Sequence, residues 1–148
     1  MKRVILLAMI FLPMVSMAAI PELSSMVKRY ENVSGATTMK INKEMLSMFG
    51  SEDEFAQCVD EIVILATENG QLAATIKTEA MEIIQRINLP LMMTICDDDA
   101  DVNIYMRQSG GVMTDLVILE ADDSEGAMVI ISGTLDPNMI DSFMQFAM

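Results

Sequence analysis

The chain has no histidine and no tryptophan, only two cysteines, and 9 Lys and Arg against 22 Asp and Glu over 148 residues. Each shortage closes off chemistry. Without His the protein lacks the commonest general base, the commonest side-chain metal ligand and the usual partner of a nucleophilic serine. A formal net charge of −13 speaks against DNA and RNA, whose phosphates call for Lys and Arg. Cys58 and Cys96 do not form a Cys-x-x-Cys pair, which argues against thiol redox catalysis, and one pair of cysteines is no disulfide framework. No complete catalytic motif and no cofactor motif is present; Ser132-Gly133-Thr134 does not match the Gly-x-Ser-x-Gly of a nucleophile elbow.

What is present begins with an address. Met1-Lys2-Arg3 precede an apolar run from Val4 to Val15, and Ser16-Met17-Ala18-Ala19 follow. A basic start, a short apolar stretch and a small-x-small site make a secretory signal peptide over residues 1–18, cut near Ala18/Ala19. The run is short of the ~20 apolar residues that a span requires, and Pro13 interrupts it. The expected product is a single domain over residues 19–148, exported to the periplasm or cell envelope, with no stable transmembrane span after cleavage. No Cys lies near the cut to serve as a lipobox. Cleavage removes two cations and no anion, and so makes the chain still more acidic. Such a charge favours solubility and repels anionic membrane surfaces.

The periodicity then divides the domain. Leu23, Met26, Val27 and Tyr30 recur at helical spacing and predict a helix over 21–32. Residues 36–41 alternate as a strand, and Asn42 can cap a short helix from Lys43 to Phe49. Ser51 with Glu54 is a capping-box pattern that opens another helical turn. Glu61–Thr67 is a dense run of β-formers and predicts a strand flanked on both sides. The longest helix runs from Gln71 to Ile87, with Leu72, Ile76, Ala80, Ile83, Ile84 and Ile87 as its buried stripe. From Leu91 the period changes to two, and short turn-rich connectors join four strands near 91–96, 102–107, 112–120 and 127–133. Asp136-Pro137 opens a last amphipathic helix. The expected fold is α+β: a mostly antiparallel sheet of five or six strands, ending in a β-meander, with helices packed on one face.

These segments follow a recognisable order. An amphipathic opening helix ends in Lys28-Arg29-Tyr30, and TTMKINKEML (Thr37–Leu46) and EIVIL (Glu61–Leu65) follow. The hairpin VNIYMRQSGGVMTDLVILEAD (Val102–Asp122) and the ending VIISGTLD (Val129–Asp136) complete the series. On these segments the chain resembles the bacterial domain-of-unknown-function family numbered 4252. The resemblance implies a small exported α+β domain. It supplies no established activity, so no functional residue is carried over from it.

Three constellations are candidates for chemistry. Asp97, Asp99 and Asp101 alternate like the first oxygen donors of a calcium loop, but Val102 stands where that loop needs Gly and Gln108 where it needs Glu. A solvated connection is the favoured reading. Cys58 and Cys96 could pair in an oxidising compartment, though two free thiols are favoured. Phe143, Phe146 and Met148 near the free end form a candidate interaction surface, with docking on the chain's own sheet as the alternative. Methionine is abundant, 17 in all. Thioether clusters such as Met139/Met144/Met148 could hold Cu(I), but core filling accounts for them more simply. The function expected is that of a non-catalytic binding domain of the bacterial envelope, engaging another envelope protein or a surface component. The alternative is a carboxylate- or metal-dependent enzyme of the envelope.

Overall fold

A computed structural model describes residues 20–48, 57–98 and 100–135. The elements run α1 (Pro21–Tyr30), β1 (Ala36–Asn42), α2 (Lys43–Met48), β2 (Val59–Thr67), α3 (Gly70–Arg86), β3 (Leu91–Cys96), β4 (Asp101–Ser109), β5 (Val112–Ala121) and β6 (Gly126–Leu135). The turn expected from Ser51 and the last helix expected from Asp136 lie outside the described residues.

The helices start where the sequence supplies caps. The side chain of Asn42 accepts from the Met45 N–H, and that of Asn69 accepts from the N–H groups of Gln71 and Leu72. Each satisfies donors that a helix start leaves orphaned. α1 buries Leu23, Met26, Val27 and Tyr30, the four residues its period selects. α3 buries Ala73, Ile76, Ala80, Ile83 and Ile84, with Leu72 and Ile87 half-buried at the margins of the stripe.

All six strands form one antiparallel sheet in the order β1-β2-β6-β5-β4-β3. Alternation along that order makes β2 and β3 parallel, so α3 is a crossover that carries the chain over the sheet to its far edge. The meander β3-β4-β5-β6 then returns strand by strand, until β6 closes on β2 with Ile131 opposite Ile62 and Val129 opposite Ile64.

α1 and α3 cover one face and share a core with Val63, Leu65, Tyr105, Val117, Leu119, Met128 and Ile130. The opposite face buries a second cluster of Val59, Ile104, Met113, Leu116, Ile131 and Leu135, against which Leu46 of α2 packs. Both sets come from the same strands, because β5 and β6 are apolar in most positions on both faces, as strands buried on two faces tend to be. Close approach is built in at Gly133, where a Cβ would stand 2.1 Å from the Cys58 carbonyl oxygen.

Candidate functional site

One polar row lies on the helix-covered face, buried at Asp115 and Ser132 and half-exposed at Arg107. Arg107, Asp115 and Ser132 stand opposite one another on β4, β5 and β6. Asp115 is fully buried. Its Oδ2 accepts from Arg107 Nε at 2.7 Å, Arg107 Nη2 at 2.6 Å and the Thr114 hydroxyl at 2.9 Å. Its Oδ1 accepts from the Ser132 hydroxyl at 2.9 Å. Every oxygen of the carboxylate is engaged, which is the condition for keeping a charge inside a protein. The Ser132 hydroxyl is itself buried and donates to that acid. That carboxylate is already held by Arg107 and Thr114, and Ser132 is only 2 % exposed, so the row ties strands together and presents no accessible nucleophile.

A second polar group ties α1 to α3. Glu79 pairs with Arg29 and accepts from the Tyr30 hydroxyl at 2.7 Å. Burial, and then the Glu79 carboxylate beside it, push the Tyr30 phenol up to about 12. Burial also raises Tyr105, whose hydroxyl donates to Met81 Sδ at 3.1 Å.

The acidic turns are separate from these rows. Asp97 opens the β3–β4 connection, its Oδ1 accepting from the Asp98 N–H and its own N–H donating to the Ala100 carbonyl. Asp101 begins β4, paired with Cys96, and both aspartates are exposed. Asp99 lies outside the described residues. At the other acidic turn, Asp122 Oδ1 accepts from the Ser124 and Glu125 N–H groups and the Ser124 hydroxyl, and these bonds lower its pKa. That turn borders an open cleft of about 770 Å³ rimmed by Glu68, Glu120, Asp122 and Glu125. Among the described residues no three acidic or cysteine side chains converge closely enough to hold a metal ion.

Cys58 is half-buried just before β2, and Cys96 is exposed at the end of β3; both are free. β2 and β3 are four sheet positions apart, about 19 Å at the ~4.8 Å spacing of paired strands, where a disulfide needs Cα atoms within ~7 Å. The topology therefore excludes a bridge within one chain. Phe143, Phe146 and Met148 lie outside the described residues.

The feature that reading by motif misses is an edge. β1, at one margin, carries Lys40, which pairs with Glu61, and α1 and α2 both pack on it. β3, at the other margin, has no charged residue, and β4 is its one substantial neighbour among the described elements. Leu91, Met93 and Ile95 are 55 %, 38 % and 37 % exposed. Met92 is the extra residue of a bulge, so Leu91 stands opposite Tyr105 while Met93 and Ile95 stand opposite Ile104 and Val102. Met93 and Ile95 thus stand at the rim of the sheet beside Ile104 and Val102 of the second apolar cluster. The signal in the sequence was an uncharged LMMTIC between Pro90 and Asp97; its place at the margin was not visible there.

Residues 30–143 match the family model described as a domain of unknown function, DUF4252. No curated protein matches the chain. No solved structure matches it.

Proposed function

The chain belongs to the DUF4252 family, and from that premise we propose that it is an exported bacterial envelope protein that acts by binding, with β3 as the strand that takes an extended segment of its partner. The basic start, apolar run and small-x-small site at residues 1–18 support export to the periplasm or envelope, with cleavage near Ala18/Ala19. No described helix is long and apolar enough to cross a membrane.

The observation that carries the binding reading is the uncharged, exposed apolar edge at β3. A margin strand presents a row of unpaired N–H and C=O groups, and proteins ordinarily blunt it with a charge, a proline or a covering element. β1 carries a charge and is covered by helices; β3 has only the bulge at Met92, and beyond it Met93 and Ile95 stay exposed on an uncharged ladder. Strand addition draws affinity from the backbone and specificity from alternate side chains, and Met93 and Ile95 supply the latter. The buried Ser132 and the closed Asp115 row argue against the hydrolytic alternative.

The test is crosslinking in cells, with a photoreactive residue placed at position 93 or, as a control, at Met39 on the opposite margin. Position 93 is expected to give a discrete adduct and position 39 none. Equal labelling from both positions, or none from 93, would overturn the reading. Intact mass of the exported protein tests the export half: retention of residues 1–18 contradicts cleavage.

A further inference from the structure

We infer that the strand β3 receives is β3 of a second copy of this chain, antiparallel, about a two-fold axis through Thr94. The inference rests on the reading of β3 as a binding edge and names the occupant. The bulge at Met92 selects the register. It sends Leu91 to the Tyr105 side and leaves Met93 and Ile95 on the side of Ile104 and Val102. In an antiparallel pair, residues directly opposite share a face. An axis through Thr94 sets Met93 of each copy opposite Ile95 of the other, and Thr94 opposite Thr94. The exposed Met93 and Ile95 then cover each other, and the second apolar cluster becomes continuous across the axis. An axis through Met93 would instead set Ile95 against Leu91, which the bulge has turned to the other side.

Charge supports the same register. A chain at −13 repels its copy unless the contact is neutral and its acids are held apart. β3 is the one margin strand without a charge. Pairing about Thr94 places the two Asp97 residues six positions apart along the ladder, about 20 Å at ~3.3 Å per residue. That exceeds twice the ~8 Å screening length at physiological salt. A parallel pair would set the two acidic connections side by side. The symmetry is self-complementary, as a two-fold contact must be. Six residues a side, against the roughly 20–30 a side of a standard ~1,600 Å² interface, make the expected dimer weak and reversible.

The experiment is sedimentation of the exported, purified chain between about 1 µM and about 1 mM, joined to cysteine crosslinking. The expected result is a monomer–dimer equilibrium that Thr94→Lys weakens at least tenfold by setting two cations opposite each other. In a Cys96→Ser background, Thr94→Cys should give a reducible covalent dimer with copper-phenanthroline. Met93→Cys, which faces Ile95 across the axis, should do so at least tenfold more slowly. The cysteine comparison keeps the test decisive if Thr94→Lys perturbs folding. A chain that stays monomeric with no Thr94→Cys dimer overturns self-pairing; if position 93 still captures another protein in cells, the binding edge itself stands. A dimer that crosslinks equally well from 93 and 94, or ignores Thr94→Lys in a variant of unchanged circular dichroism, also overturns it.

Discussion

Asp115 shows what a single residue costs and secures. It is buried with both carboxylate oxygens engaged by Arg107, Thr114 and Ser132. Removing one partner of such a pair leaves an uncompensated charge in the interior, whereas replacing both with apolar groups can be nearly neutral. Arg107→Met is therefore expected to lower stability by about 3 kcal/mol in urea unfolding. The double variant Arg107→Met/Asp115→Leu should recover most of that loss. Tyr30 provides a pH signature. Its folded pKa is raised above that of the unfolded chain, so the folded state holds the proton longer. The associated stability is complete below the ordinary tyrosine range near pH 10 and is lost as pH rises toward about 12. Tyrosinate absorbance of the native protein should rise later than that of the urea-unfolded chain. Tyr30→Phe should remove the later component and leave that of Tyr105.

At the scale of elements, caps and close approaches carry the predictions. α3 begins on the side chain of Asn69, which accepts from two backbone N–H groups. Asn69→Ala should cost about 1 kcal/mol in the same unfolding assay, with the helix otherwise intact. Gly133 is a different case. A methyl there would meet the Cys58 carbonyl oxygen at 2.1 Å, where the backbone entering β2 crosses β6. Gly133→Ala should cost about 2 kcal/mol or more by overpacking, seen as a lowered urea midpoint. Thr134→Ala, one residue on at an exposed position, should change it little.

At the scale of the whole molecule, the crossover α3 parts β2 from β3 and the meander fills the gap between them. Cys58 and Cys96 are carried to distant parts of the sheet by this topology. Thiol counting of the purified protein under denaturant should find two titratable groups per chain. One disulfide per monomer would contradict the strand order. The same topology makes β1 and β3 the two margins. Lys40 and neighbouring helices guard one, and among the described elements only β4 packs substantially on the other, which makes an uncharged apolar strand the candidate binding surface.

The sequence by itself determined the elements. Period and caps are local, so α1, α3 and the strands from β1 to β6 stand within a few residues of where the pattern puts them. The same holds for the α+β class. The stripe of α3 was legible in its centre at Ile76, Ala80, Ile83 and Ile84, and less so at its margins, where Ala73 and not Leu72 is the buried residue. Strand order was decided only in three dimensions. The closure of β6 on β2 joins residues as far apart as Val59 and Gly133, and no local pattern encodes a contact across that separation. The row from Arg107 through Asp115 to Ser132 has the same origin. Alternation shows which residues share a face of one strand, but opposition across three strands depends on register, and the irregularity at Thr114 shifts that register on both sides of β5. Whether LMMTIC is a covered strand or an open margin depends on what lies beside it, which only the assembled sheet decides.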